Sequence, residues 1–250
     1  MQDTFPVTLK AWCYRRRSAI TGLLFFVVSL LLLFTEPLPQ SLDYHAFADR
    51  RPFRELPNAL NVLSNLPFAL VGIIGLSVLR KRPGVGRELT AIYVCFMGSL
   101  VCVALGSAWY HLNPDNNTLV WDRLPLAVCF AAFTSIVVAE RLGLGAGREL
   151  FPWLVSLAIL SVLYWHWRDD LRLYLLVQFG PVLILPLIIL VFPGPGTVWL
   201  WLTLAFYVLA KVLEFLDAPV FELSGYLLSG HTLKHLAAAA GTLMLVLKVY

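Results

Sequence analysis

Of the 250 residues, 59% are hydrophobic and 14% are charged, with a formal net charge of +4. Soluble domains run at roughly 45–50% apolar and about 25% charged. A chain this apolar cannot bury its excess inside one globule. The composition therefore excludes a soluble enzyme, a disordered chain and a secreted disulfide scaffold, and indicates an integral membrane protein. The small positive charge calls for no nucleic-acid partner.

In chain order, Lys10 and Arg15, Arg16 and Arg17 lead into a first apolar stretch over 18–34. It has the basic front of a signal peptide. It lacks a small-residue cleavage site, ending instead in Phe34, Thr35, Glu36 and Pro37, so it is expected to persist as a helix. Further apolar stretches follow at 59–79, 89–111, 119–139, 149–167, 172–192, 197–216 and 231–249. Each run is continuous rather than alternating, and about 20 apolar residues suffice for a membrane helix, so helices are expected and a barrel is not. Breakers separate them: Arg82-Pro83-Gly84, Asn113-Pro114-Asp115, Gly143 to Gly147, and Pro193-Gly194-Pro195-Gly196. Cys13, Cys95, Cys102 and Cys129 form no CxxC pair and read as buried thiols.

Basic residues orient the spans. Eleven lie on the side of the N-terminus (Lys10, Arg15, Arg16, Arg17, Arg80, Lys81, Arg82, Arg87, Arg141, Arg148, Lys248). Five lie on the other (Arg50, Arg51, Arg54, Arg168, Arg172). Both termini are expected in the cytoplasm of a bacterial cell, with the chain in the inner membrane.

Ionisable residues inside membrane helices are costly and mark function. Ser107 and His111 close the third span, while Asp122 and Arg123 open the fourth. Lys211, Glu214 and Asp217 close the seventh, and His231, Lys234 and His235 open the eighth. The alternation of spans places all of these, with Asn58, Asn61, Ser64 and Asn65, at the extracytoplasmic face. Ser107 and His111 share a helix face at i and i+4, as do His231 and His235. Two imidazoles one turn apart can grip one metal ion. His111 as a third would give three ligands and an open fourth position, the pattern of a catalytic zinc. Asp122 then reads as general base and Ser107 as donor to an oxyanion. Plainer readings exist for each. His111 can cap a helix, Asp122 and Arg123 can be an interfacial charge pair, and Lys211 and Glu214 can be a buried ion pair. His45 and His166 read as surface loop residues, and Trp109, Tyr110, Trp121, Trp165 and Trp167 as an interfacial aromatic belt.

Ser107-xxx-His111, Asp122 eleven residues on, and His231-xxx-His235 resemble the alkaline ceramidases. They also fit the wider seven-helix membrane hydrolases, which include progestin/adiponectin-type receptors and GPI-lipid-remodelling enzymes. Gly106-Ser-Ala-Trp-Tyr-His111, Ser229-Gly-His-Thr-Leu-Lys-His235 and the opening Asn58-Ala-Leu-Asn61-Val-Leu-Ser64-Asn65 look most like bacterial members of the ceramidase branch. The resemblance covers about 40–250. It implies an all-α fold: a seven-helix hydrolase domain over 41–250, preceded by an N-terminal basic segment and extra helix over 1–40. It also implies a zinc-dependent amidase that cuts the N-acyl bond of ceramide or a related lipid amide. His111, His231 and His235 would be the zinc ligands, Asp122 the base and Ser107 its partner, with Asn61, Asn65, Lys211 and Glu214 supporting the ligands. Ornithine lipids, N-acyl amino acids and acylated phospholipids are alternative substrates. The family's acidic calcium segment corresponds here to 47–58, where Asp49 and Glu55 are interrupted by three arginines. Calcium tolerates neighbouring cations poorly, so no calcium site is carried over. Three rival readings remain: a zinc-binding lipid receptor without turnover, an ester hydrolase of the same superfamily, and a transporter using Lys211, Glu214 and Asp217.

Overall fold

The computed structural model describes residue 22 and residues 35–81 and 87–250. The span expected over 18–34 lies outside the described residues but for Gly22. Among the described residues the secondary structure is helical, without a sheet. Helices α1 (Ala59–Leu63) and α2 (Leu66–Lys81) are followed by α3 (Arg87–Leu112), α4 (Asn116–Arg141) and α5 (Leu144–Arg168). Then come α6 (Arg172–Val191), α7 (Thr197–Phe215), the short α8 (Asp217–Leu223) and α9 (Gly230–Val249). Taking α1 and α2 as one span, seven helices among the described residues are long and apolar enough to cross a membrane. Their bounds fall within a few residues of the apolar runs. The chain is thus a multi-pass integral membrane protein.

The helix starts follow from local chemistry. The Asp115 side chain accepts from Thr118 N while Thr118 Oγ1 accepts from Asp115 N, a reciprocal cap that starts α4. Ser229 Oγ accepts from Thr232 N at 3.1 Å and starts α9. Pro125, Pro152, Pro181 and Pro186 sit inside helices, as membrane helices tolerate.

Helix α4 is the central element. Its most apolar stretch is 67% buried, against 22% for α5 and α7. Lipid is as apolar as leucine, so helices associate there through close packing rather than the hydrophobic effect. Two glycines supply that closeness beside the polar clusters. A Cβ on Gly106 of α3 would lie 1.9 Å from Trp121 O of α4. A Cβ on Gly230 of α9 would lie 2.2 Å from Leu213 O of α7. Each glycine therefore brings backbones together one residue from Ser107 or His231.

The segment 35–58 straps one end of the bundle. Leu171 N donates to Leu38 O at 2.8 Å, and Gln40 N donates to Asp169 Oδ1 at 2.9 Å. Arg123 Nη2 donates to Gln40 Oε1 at 2.6 Å. Beneath the strap a cluster of Phe47, Tyr110, Leu119 and Trp165 is buried. A larger core around Phe96, Met97, Ile136, Leu185 and Leu245 fills the rest.

Some placements differ from the sequence reading. Trp109, Trp121 and Trp167 face outward as a belt should, but Tyr110 and Trp165 are each only 1% exposed. Tyr110 is one residue from Trp109, about 100° around the helix, and Trp165 is two residues from Trp167, about 200°, so both turn into the bundle. Cys129 is buried, whereas Cys102 faces outward on α3, because an apolar run leaves one face to lipid; both are free thiols, as is Cys95. His166 is exposed but belongs to the last turn of α5. His45 is half-buried, 2.8 Å from Tyr110 Oη and 3.0 Å from Asn116 Oδ1, so it ties the strap to α3 and α4.

Candidate metal centre

The end of α3, the start of α4 and the start of α9 meet under the strap. His111, His231 and His235 come together there, each at most 5% exposed, with one ligand nitrogen from each all within 4.8 Å of one another. The three imidazole centroids are 4.9–5.1 Å apart. His111 Nε2 and His231 Nε2 are 3.3 Å apart. With zinc–nitrogen bonds of 2.0–2.1 Å, two ligands on a tetrahedral edge are separated by about 3.3 Å. The donor set therefore fits a tetrahedral ion.

Ser64 Oγ lies 2.7 Å from His235 Nδ1 and 3.1 Å from Asn61 O. With the imidazole donating from Nδ1 to that oxygen, the Nε2 lone pair is left for a metal. This is the way a ligating histidine is usually oriented. His111 Nδ1 has no hydrogen-bond partner among the described residues.

Phe47 from the strap lies against His111 and His231, with centroid separations of 4.8 and 4.4 Å. It shields the imidazoles from the aqueous side. Asp217 joins strap and helix: Oδ2 accepts from Ala48 N at 2.9 Å, and Oδ1 accepts from His231 N at 2.7 Å. The second bond satisfies an orphan N–H at the start of α9. Asn61, expected to support a ligand, makes its hydrogen bonds among the described residues to the neighbours of the histidines rather than to an imidazole. It accepts from Thr232 Oγ1 at 2.9 Å and donates to Asp49 O at 3.0 Å. Asn65 donates to Asn61 O at 2.8 Å. Within this turn Ser64 Oγ contacts the His235 ring, and Asn58 Nδ2 donates to His111 O at 2.8 Å.

Ser107 and Asp122 interact side chain to side chain, and both line a cavity of ≈ 150 Å³ that His235 also borders. The cavity runs inward among Phe96, Leu100, Phe133, Leu204 and Gly241. Eleven residues separate Asp122 from Phe133 along α4, which is about 16 Å of helix and room for an acyl chain of roughly a dozen carbons. Lys211, Glu214 and Lys234 also line it. Lys211 and Glu214 form the expected ion pair, and Lys234 Nζ joins them at 2.6 Å from Glu214 Oε1. Lys211 and Glu214 thus bind each other and Lys234 rather than a histidine.

Charges outside the spans organise the strap. The Arg51 guanidinium donates to both Asp49 oxygens at 2.8 Å and holds that carboxyl below the usual range. Arg51 also donates to Tyr226 O and Leu227 O at 2.6 and 3.0 Å, so a guanidinium bridges the strap to the loop before α9. Hydrogen bonds from the Arg172 side chain lower Asp170 to about 2. Burial pushes the Tyr44 phenol up, with the Glu214 carboxylate adding to it. Glu55 is exposed.

No family model matches the chain, and no curated protein matches it.

Proposed function

We propose that this chain is a zinc-dependent hydrolase of the membrane that cleaves the N-acyl bond of a lipid amide, in the manner of the alkaline ceramidases it resembles. The observation that carries this reading is the meeting of His111, His231 and His235 beside Ser107 and Asp122, at the polar end of an apolar cavity. Zinc held by the three imidazoles would supply a Lewis acid for the carbonyl and lower the pKa of water.

The protein's own groups do the rest. The aliphatic wall receives the acyl chain and sets the amide at the level of the histidines. Asp122 takes the proton of the attacking water as the carbon–oxygen bond forms. The Ser107 hydroxyl donates to the negative oxygen that develops on the former carbonyl. As the carbon–nitrogen bond breaks, Asp122 returns the proton to the departing amine. The products are a fatty acid and an amine. Phe47 and the strap restrict entry of bulk water, which strengthens each of these interactions. The basic-residue asymmetry supports a site at the extracytoplasmic face with both termini inside, in keeping with our reading of a bacterial inner-membrane enzyme.

The experiment is turnover of matched lipid amides and esters by purified wild type and Asp122→Asn. The reading expects amide hydrolysis by the wild type. It expects a loss of at least about 100-fold in the variant, within the range of general acid–base catalysis, with zinc content retained. Cleavage of the ester alone, or full activity in Asp122→Asn, would overturn it.

A further inference from the structure

The cavity wall below the histidines carries ammonium donors that its carboxylates leave unmatched. Each lysine ammonium has three N–H donors. Among the described residues, Lys211 Nζ and Lys234 Nζ each make one hydrogen bond, both to Glu214. Both lysines line the cavity, and four of their N–H donors make no hydrogen bond among the described residues. Lys211 also lies 5.5 Å from the Phe179 ring centroid, a contact that uses no directed donor.

A third cation stands behind this wall. Arg123 is 5% exposed and is enclosed by Trp165, Tyr174 and Tyr44, with its guanidinium carbon 4.2, 4.7 and 5.3 Å from their ring centroids. Its guanidinium donates to neutral Gln40 and bonds the Tyr44 side chain, and Nη1 has no partner among the described residues. Tyr44 and Tyr174 are themselves cavity wall. Lys211 and Lys234 line the cavity with Glu214 and Asp122, and Arg123 behind the wall makes three positive charges against two negative, leaving one positive charge in a space of low dielectric. Asp122 is turned to Ser107, and Glu214 is shared by two ammoniums. A ligand with a single negative charge and several acceptor oxygens would meet both the charge and the open donors.

We infer that the lipid bound here bears a carboxylate on its amine portion, as an N-acyl amino acid does, and that Lys211 and Lys234 receive that carboxylate. This rests on the hydrolase reading, in which the acyl chain takes the apolar depth and the amine portion meets the polar wall. Lys211 and Lys234 set specificity and do not touch the reacting atoms.

The test compares N-lauroylglycine with N-lauroylethanolamine, which share the acyl chain and amide and differ in the carboxylate. In the wild type, kcat/KM is expected to favour the glycine amide by about tenfold or more, the scale of charge-assisted hydrogen bonds. In full-length Asp122→Asn protein, N-lauroylglycine is expected to give the larger thermal stabilisation. Lys211→Gln and Lys234→Gln should remove both preferences, and Lys234→Arg should keep them, with zinc content unchanged in all three. Equal handling of the two lipids, or a preference that survives Lys211→Gln, would overturn the inference and leave the hydrolase reading standing. If neither amide is cut, the hydrolase reading fails. The stabilisation comparison then decides the inference by itself: a larger shift with the glycine amide supports it and equal shifts refute it.

Discussion

Ser64→Ala tests the site through a residue that contacts no reacting group. Ser64 is buried, and its Oγ lies 2.7 Å from His235 Nδ1 and 3.1 Å from Asn61 O. The substitution leaves the buried imidazole Nδ1 short of a partner, while Asn61 O keeps its bond from Asn65 Nδ2. It also frees His235 to rotate or to place its hydrogen on Nε2, the nitrogen a metal needs. Losing such an orienting bond typically weakens metal affinity by about 10–100-fold, which is roughly 1.4–2.7 kcal/mol. Competition with a chelator of known affinity, in detergent, measures this directly. Asn65→Ala is the control: Asn65 is adjacent and buried but bonds Asn61 O and Val62 O, touching no histidine. Its zinc affinity should stay within about threefold of wild type, well short of the orienting-bond range. Equal affinity in wild type and Ser64→Ala would refute the assignment of the Nδ1 hydrogen. Equal losses in both variants would show that the effect is general loosening of α1.

Three further outcomes follow from the packing and electrostatics. Gly106→Ala would set a Cβ 1.9 Å from Trp121 O, so α3 and α4 must part. Overpacking of this kind costs about 1–3 kcal/mol or more, visible as a lower Tm and reduced zinc occupancy; an unchanged Tm would contradict the close approach. Asp170 is lowered from 3.8 to about 2, so its contribution to stability is fully present above about pH 4 and is lost as the pH falls towards 2. Asp170→Asn should remove that part of the acid dependence, and an unchanged acid transition would refute it. Phe47→Ala should expose His111 and His231 and speed zinc release to a chelator by about tenfold, on the scale of perturbing a ligand's surroundings; an unchanged release rate would show that Phe47 is no cover.

The spans and the histidines were legible because each depends on local pattern. An apolar run of about 20 residues announces itself, and i, i+4 spacing puts His231 and His235 on one face whatever the rotation of α9. The alternation of spans then brought His111 to the same end. What the pattern could not supply was helix rotation and loop path. Tyr110 and Trp165 are as aromatic as the belt tryptophans beside them, and only the angle about the helix axis sends them inward. Choosing Ser64 over Asn61 and Asn65 needed the facing helix, because the turn at 64–65 between α1 and α2 breaks helical phase. Phe47 and Arg51 act from an irregular strap, for which no periodicity exists. The Lys211–Glu214 pair followed from i, i+3 spacing, whereas the bond from Lys234 crosses from α9 and has no local signature.

The central claim is a metal held by three buried histidines. The most direct measurement is the metal content of detergent-purified protein, wild type beside His231→Ala/His235→Ala, with circular dichroism to verify that both are folded. The account predicts zinc near one per chain in the wild type and near zero in the variant at equal helicity. A folded wild type without zinc, or a variant that keeps it, would contradict the site and the hydrolytic chemistry built on it.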